Sequence, residues 1–204
     1  MVGAGAGGGF GLNAPGTGPK VKSFAGAGAP SGFSISDELK THWNNMLDDN
    51  HPCHFVIGGY SADGKSLEFR AAGDGRLGDF QSSLVSSLGS DNLGWGGFRC
   101  YGVDDRGNTV SKRAKICFIQ YMPPNASSIK KAKMGSHKGA AKTAFDKAHV
   151  DLVVEDAIAD LKKEDLVAKL QSATGAHKPN GYEFEVGEFT TADFYGRGVG
   201  TAAK

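Results

Sequence analysis

The stretch from Ser111 to Lys147, SKRAKICFIQYMPPNASSIKKAKMGSHKGAAKTAFDK, contains nine lysine or arginine residues and one acidic residue, Asp146. It begins with a basic cluster, continues through an apolar segment typical of a β-strand, and resumes after two prolines as a lysine-rich segment with helical spacing. Its formal charge is therefore +8, whereas the whole chain of 204 residues carries +1. Positive charge concentrated on one strand-turn-helix unit of a near-neutral chain indicates a directed basic face.

The composition of the chain excludes several classes of protein. A net charge of +1 argues against general nucleic-acid binding, which usually requires a large basic excess. No window approaches 18 consecutive apolar residues, and the first residues lack the charged and apolar regions of a signal peptide, so we expect neither a membrane span nor secretion. The three cysteines, Cys53, Cys100 and Cys117, form no CxxC pair and are expected to be reduced, buried thiols of a cytosolic protein.

The two ends of the chain differ in composition from its middle. Residues 1–33 contain eleven glycines and three prolines, so we expect a disordered N-terminal tail. Residues 34–175 have the apolar periodicity of one folded domain. Residues 176–204 are rich in turn-forming residues with scattered aromatics, and we expect a flexible C-terminal tail.

Within the predicted domain, helices alternate with strand pairs. The predicted strands are 53–60, 66–72, 93–103, 110–122 and 150–156, and the predicted helices are 36–47, 77–88, a long helix capped by Asn125 or Ser127, and about 157–171. Hairpins separated by helices predict an α/β (α+β) fold, with a central mixed, mostly antiparallel sheet and helices on both faces.

The segment GDGRLG (73–78) matches the glycine pattern G-x-G-x-x-G of nucleotide sites. The dinucleotide fingerprint requires a parallel βαβ unit, whereas this segment follows a predicted antiparallel hairpin. In addition, Asp74 would repel a pyrophosphate. We therefore interpret the segment as a glycine-rich start of a helix.

The tetrapeptide HPCH (51–54) contains three side chains that bind metals in other proteins. Its spacing fits no common zinc pattern and a second ligand pair is missing, so we interpret it as a turn that leads into a strand. Nothing in the sequence resembles a nucleophilic triad, a G-x-S-x-G elbow or a pair of catalytic carboxylates. We expect no metal, no cofactor and no enzymatic activity.

The lysine-rich helix combines a basic face with two internal glycines. At 100° per residue, Lys131, Lys138 and Lys142 fall within about 40° of one another. Gly135 and Gly139 lie one turn apart, and each costs about 1 kcal/mol relative to alanine, which suggests a kink or the close approach of another backbone. A solvated lysine face is the alternative interpretation. The neighbouring apolar stripe consists of Met134, Ala141, Ala144, Phe145 and Ala148.

At these residues the sequence resembles the ADF-homology (ADF/cofilin-like) domain family, and within it the coactosins. The pentapeptide SKRAK (111–115) is very close to the S-K-R-S-K of coactosins, and the helix spacing A-K-x-G-x-x-K-x-x-x-K (132–142) is shared without gaps. The order of elements over 35–175 also agrees, whereas both tails lie outside the resemblance. It implies the ADF-H fold and a monomeric actin-binding protein of the cytoplasm and cytoskeleton.

Cofilins and ADF usually carry K-M-x-Y-x-S-S-K at the start of this helix, a segment that binds monomeric actin. This chain has KMGSHK (133–138), which is two residues shorter and lacks the tyrosine. The resemblance therefore implies binding to the side of F-actin without severing. A cofilin-like severing or depolymerising factor is the alternative within the family.

The resemblance also assigns candidate binding residues. Lys115 matches the lysine implicated in filament binding by coactosins, and a localised basic ridge would steer and hold an acidic filament. From another class of function, the same basic unit could bind anionic phosphoinositide headgroups. The candidate actin-binding residues are Lys112, Arg113, Lys115, Lys130, Lys133 and Lys138.

Overall fold

A mixed β-sheet forms the centre of the protein. The computed structural model describes residues 32–89, 93–175 and 178–192, and these ranges contain eight strands and four α-helices. The strands are β1 (Ser34–Ile35), β2 (Phe55–Tyr60), β3 (Ser66–Gly73), β4 (Gly94–Asp105), β5 (Val110–Tyr121), β6 (Val150–Val154), β7 (Gly181–Glu185) and β8 (Glu188–Thr191). The helices are α1 (Asp37–Leu47), α2 (Leu77–Leu88), α3 (Ser128–Ala144) and α4 (Lys163–Ala173), and a 3₁₀ turn covers Ile158–Asp160.

The strand order of the sheet is β1-β3-β2-β4-β5-β6. The pairs β2–β3, β2–β4 and β4–β5 are antiparallel, whereas β1–β3 and β5–β6 are parallel. Parallel pairing of β5 with β6 requires a crossover connection, and α3 supplies it. The predicted mixed, mostly antiparallel sheet is therefore confirmed.

Helices cover both faces of the sheet and define two hydrophobic cores. On one face, α2 and α4 contribute Phe80 and Leu166 to a core with the strands. On the other face, α1 and α3 contribute Trp43 and Met134. The predicted arrangement of helices on both faces is confirmed, and each helix buries a single stripe, as expected for a layered fold.

Alternation along β5 fixes the direction of its side chains. Cys117 lies in the core of the α2 and α4 face, and its neighbour Phe118 lies in the core of the α1 and α3 face. Because successive strand residues point to opposite faces, Arg113 and Lys115 belong to the first face and Lys112 to the second. The basic residues at the start of β5 are thus divided between the two faces.

The C-terminal region differs from the prediction. The expected flexible tail over 176–204 is wrong for residues 181–191, because β7 pairs with β4 at Tyr101–Val103 and β8 pairs with β7. Tyr182 and Phe184 of β7 are fully buried in the core next to α2 and α4. The folded part of the chain therefore continues to Ala192, whereas the predicted tail residues 1–31 and 193–204 lie outside the described residues.

The predicted helix over 157–171 is divided in the structure into the 3₁₀ turn and α4. The Gln81 side-chain amide, on α2, donates hydrogen bonds to the carbonyl oxygens of Ile158 (2.9 Å) and Leu161 (3.3 Å). The Leu161 N–H closes the short turn onto the carbonyl of Ile158. These bonds satisfy carbonyl groups that a continuous helix would have used. None of the helices in the described ranges has the length and apolarity that a membrane crossing requires.

Candidate functional site

Helix α3 is capped at its start and packs against α1 at its end. At its start, the Ser127 hydroxyl accepts a hydrogen bond from the backbone N–H of Lys130 (3.3 Å), so the predicted N-cap is confirmed. At its end, the Trp43 ring of α1 packs edge-on against Phe145 and its indole N–H donates to the carbonyl of Asp146 (3.1 Å). These contacts define where the helix begins and fix its C-terminal end against α1.

The outer face of α3 is basic. The helix buries Met134, His137 and Ala141, whereas Lys130 and Lys133 are exposed. A Cβ atom built at Gly135 meets no atom within 4 Å outside the helix's own backbone. The close approach of another backbone that we expected at Gly135 therefore does not occur within the described residues. The helix itself runs without interruption from Ser128 to Ala144. Gly135 is therefore an open position on the helix surface.

His137 joins α3 to the start of the folded chain, a role that the sequence pattern did not reveal. Its ring stacks on Phe33 with centroids 3.9 Å apart, and its Nδ1 lies 3.2 Å from the Tyr60 hydroxyl. Burial, together with the nearby ammonium of Lys133, lowers the pKa of His137 below its ordinary value of 6.5. Phe33, which we expected in the tail, is thus packed against the domain.

A basic groove lies at the N-terminal end of α3, and we call it the helix-end groove. It has a volume of about 460 Å³ and is lined by Arg70, Lys130 and Lys133 together with the β2–β3 turn and Ser87. The Lys133 ammonium lies so close to the turn that a side chain at Gly64 would collide with it. Arg70 was not predicted as part of the site, because only the fold brings β3 beside α3.

A second basic region lies at the opposite end of the sheet, where β5 begins. Arg113 and Lys115 line a shallow cleft of about 310 Å³ with Arg106 and Pro179. We call Lys112, Arg113 and Lys115 the strand cluster. The guanidinium of Arg106 is paired with Asp104 at 2.9 Å, so the positive charge of the cleft comes mainly from the strand cluster.

Lys112 differs from the other members of the strand cluster because it forms an ion pair with Glu183 of β7. Lys142, on α3, is likewise paired with Asp151 of β6. Within the described parts of the chain, no acidic side chain pairs with the cations of the remaining predicted positions Arg113, Lys115, Lys133 and Lys138.

The six predicted residues form two groups rather than one continuous ridge. Register places Tyr121 opposite Gly94, which in turn lies opposite Gly59 at the helix-end groove. Lys115 is six residues before Tyr121 on β5, which separates the two groups by about 20 Å. Lys138 lies between them and is half-buried, about 7.5 Å along the helix from Lys133.

Both the sequence and the fold of this chain are similar to those of known proteins. Residues 32–171 match the family model described as "Cofilin/tropomyosin-type actin-binding protein". The chain belongs to this family of actin-binding proteins. The match covers more than half of the chain and ends within α4, before the β7–β8 hairpin. A comparison with curated protein sequences gives no match.

Solved structures of the cofilin-type family share the fold. Coactosin from Entamoeba histolytica is 25% identical, with a TM-score of 0.58 over 71% of this chain and 98% of that chain. Human coactosin-like protein is 22% identical, with a TM-score of 0.57 over 74% and 96% of the two chains. Cofilin from Streptomyces griseoflavus is 17% identical, with a TM-score of 0.54 over 69% and 98%. The predicted ADF-H fold and the resemblance to coactosins are confirmed, and the family and fold are those of non-enzymatic actin-binding proteins.

Two motifs that we set aside have structural roles in this cofilin-type domain. In GDGRLG (73–78), the N–H of Arg76 donates to the Asp79 carboxylate (3.2 Å) and the N–H of Gly78 donates to Glu185 (2.8 Å). These amide groups at the start of α2 are therefore already bonded to carboxylates of the same chain, and the interpretation as a glycine-rich helix start is confirmed.

The tetrapeptide HPCH (51–54) forms the turn before β2. The His51 ring accepts a hydrogen bond from the backbone N–H of Cys53 (3.1 Å), and the His54 ring lies 2.9 Å from the carbonyl of Asp74. The Cys53 side chain is buried in the core, and burial raises the pKa of its thiol. No group of three metal-binding side chains occurs in the described ranges.

Proposed function

We propose that this protein binds the side of actin filaments without severing them, as a monomeric protein of the cytoplasmic cytoskeleton. Membership of the cofilin-type family supports actin as the partner. The observation that carries the proposal is the pair Arg113 and Lys115, which stand on an ordered strand without acidic partners in the described residues. Lys115 also occupies the position at which the resemblance to coactosins implies a filament-binding lysine.

The separation of the two basic groups favours an extended partner. The strand cluster and the helix-end groove lie about 20 Å apart, so a partner that engages both must present acidic surface over at least that distance. An actin filament is acidic and built from repeated subunits, and it meets this requirement. Once one basic group is bound, the other group is held at a high effective concentration near the filament. Neither group therefore needs to bind tightly alone.

The absence of severing is inferred from the start of α3. The segment KMGSHK (133–138) is shorter than the monomer-binding segment of cofilins and lacks its tyrosine. In the structure His137 of this segment is turned inward against Phe33 rather than towards a partner. Cofilin-like severing or depolymerisation is the alternative, and it would appear as loss of filament mass.

Co-sedimentation with actin filaments at low and moderate salt tests the proposal. We expect the wild type to pellet with filaments, to bind more weakly as salt increases, and to leave the amount of polymer unchanged. Lys115→Ala should weaken binding about two- to five-fold, the effect of one exposed charge contact. Lys40→Ala is the control for the loss of one positive charge, because Lys40 is an exposed lysine of α1 outside both basic groups, where it pairs with Asp37 at 2.9 Å.

The outcomes of co-sedimentation are distinct. Transfer of actin to the supernatant would identify a depolymerising factor and contradict the proposal. Failure of the wild type to pellet at either salt concentration would show that this chain shares only the fold of the actin-binding proteins. Equal weakening by Lys115→Ala and Lys40→Ala would remove the strand cluster from the binding site.

A phosphoinositide headgroup is the second candidate ligand, and the helix-end groove is the observation that favours it. The groove is concave and is lined by Arg70, Lys130 and Lys133. Asp63 also lines it, and Arg70 pairs with Glu68 at 3.3 Å. Flotation with vesicles that contain or lack a phosphoinositide tests this candidate. We expect Lys133→Ala to reduce binding to the phosphoinositide vesicles. Equal flotation with both kinds of vesicle would contradict a specific headgroup site.

A further inference from the structure

The β7–β8 hairpin is firmly attached to the domain at the strand cluster. Tyr182 and Phe184 anchor it in the core, each with at most 1% of its surface exposed. The Asn180 side-chain amide exchanges two hydrogen bonds with the backbone of Asp105, at the end of β4. Glu185 accepts the hydrogen bond from Gly78 at the first turn of α2. The hairpin therefore holds a fixed position beside β5.

Alternation along β7 determines what the hairpin presents to the strand cluster. Because Tyr182 and Phe184 point into the core, Glu183 points to the opposite face of the sheet. Register places Glu183 opposite Tyr101 on β4, and Lys112 lies opposite Val103 on the other side of β4. The Glu183 carboxylate reaches across β4 on that face and forms its ion pair with the Lys112 ammonium.

The two partners of this ion pair differ in exposure. The Glu183 side chain is 12% exposed, whereas the Lys112 side chain is 51% exposed. A largely covered carboxylate needs a compensating cation, because an unpaired buried charge is costly. Lys112 supplies that cation from the solvent side, where an incoming acidic group would also approach it. A partner of Lys112 must therefore compete with Glu183.

We infer that Glu183 is an intramolecular counter-anion that occupies Lys112 and so lowers the affinity of the strand cluster for an acidic partner. The inference takes the actin filament as the acidic partner and so rests on the proposed function. The ion pair between Glu183 and Lys112 does not depend on that proposal. The three cations of the strand cluster and the Glu183 carboxylate together carry +2 instead of +3. The hairpin lies beyond residues 32–171, which the family model matches.

The experiment compares Glu183→Gln with Glu188→Gln. Both variants remove one negative charge from the same hairpin and one ion pair, because Glu188 pairs with Lys163 of α4 at 2.6 Å. Only Glu183 contacts the strand cluster. In co-sedimentation with actin filaments, we expect Glu183→Gln to bind about two- to five-fold more tightly than Glu188→Gln, the usual effect of one such charge contact. Equal affinity of the two variants, or weaker binding by Glu183→Gln, would overturn the inference.

A measurement without actin separates this inference from the proposed function. Elution from a heparin matrix reports the accessible positive charge, and the two variants have the same net charge. We expect Glu183→Gln to elute at higher salt than Glu188→Gln, and co-elution would overturn the inference even if no form of the protein pellets with filaments. Failure of all forms to pellet, with separate elution, would refute only the proposed function.

A second substitution tests whether the effect of Glu183→Gln acts through Lys112. In the Glu183→Gln background, Lys112→Ala should return retention on heparin to about the wild-type value, since the freed Lys112 accounts for the gain. Thermal unfolding of each variant shows whether the hairpin remains attached. A double variant that still elutes at the higher salt of Glu183→Gln would contradict competition for Lys112.

Discussion

Arg99 is a buried charged residue whose contribution to stability can be measured directly. It lies on β4 with 1% of its surface exposed, and its guanidinium donates to backbone carbonyls in the last turn of α1 and in the segment that leads to β2. Nε and Nη2 donate to Met46 at 3.0 and 2.6 Å, and Nη2 also donates to Asp48 at 2.7 Å and to Cys53 at 3.0 Å. No carboxylate compensates the charge in these contacts, so the carbonyl dipoles stabilise it.

Replacement of Arg99 by methionine keeps much of the side-chain volume and removes these donors. A hydrogen bond to a charged group contributes about 1.5–3 kcal/mol, and each buried carbonyl left without a donor costs about 1–3 kcal/mol. Part of this loss is offset, because the guanidinium no longer has to be desolvated. We therefore expect Arg99→Met to lower the free energy of unfolding by about 3–5 kcal/mol, or Tm by roughly 6–20 °C.

Urea unfolding followed by tryptophan fluorescence measures this loss, because Trp43 and Trp95 are both buried. Arg106→Met is the matched control, since Arg106 is exposed and pairs with Asp104 in solvent. Its expected effect is below about 0.5 kcal/mol. If Arg99→Met were as stable as Arg106→Met, the carbonyl bonds would contribute no more than the desolvation of the guanidinium costs, and the stabilising role assigned to Arg99 would be wrong.

Two further predictions concern stability. Burial and a nearby lysine lower the pKa of His149 below 6.5, and its Nδ1 accepts a hydrogen bond from the N–H of Ile116 at 3.0 Å. As pH falls below about 6.5, the unfolded chain takes up this proton more readily, so the free energy of unfolding should decrease. His149→Asn should show a smaller decrease between about pH 7.5 and 5.5 in urea titrations, and an identical decrease would contradict the assignment. The second prediction contrasts two glycines. Gly135→Ala should raise stability by about 1 kcal/mol because the site is an open helix position. Gly97→Ala should reduce the Tm strongly, because its Cβ would lie 2.6 Å from Trp43. Equal melting temperatures for the two variants would refute this contrast.

Local signals in the sequence account for the elements that were predicted correctly. The N-cap at Ser36 and the turn between β2 and β3 depend on residues that are close in the chain, so short-range chemistry determines them. The segment YEFE (182–185) also carries the alternation of a strand. Its turn-rich flanks suggested a tail, and only its pairing with β4 makes the strand stable.

The sequence predicted which residues belong to the candidate site but not their relative positions in the fold. The sequence shows Lys112 and Lys133 as members of one basic stretch, whereas the length of β5 places them at opposite ends of the sheet. The pairing of Lys112 with Glu183 joins residues 71 positions apart, and no local pattern encodes it. The buried Arg99 likewise looks in the sequence like any strand arginine. The charge composition therefore predicts the sign of the partner's charge, whereas only the fold determines which cations remain accessible.

The two cores of the sheet become complete at different times during synthesis, because the N-terminal part of the chain leaves the ribosome first. The core between the sheet and α1 and α3 is complete, among the described residues, once Ala148 has emerged. The core next to α2 and α4 lacks Tyr182 and Phe184 until almost all of the described chain has been made. One face of the nascent domain is thus able to close early, while the other remains open to solvent and to chaperones until the hairpin arrives.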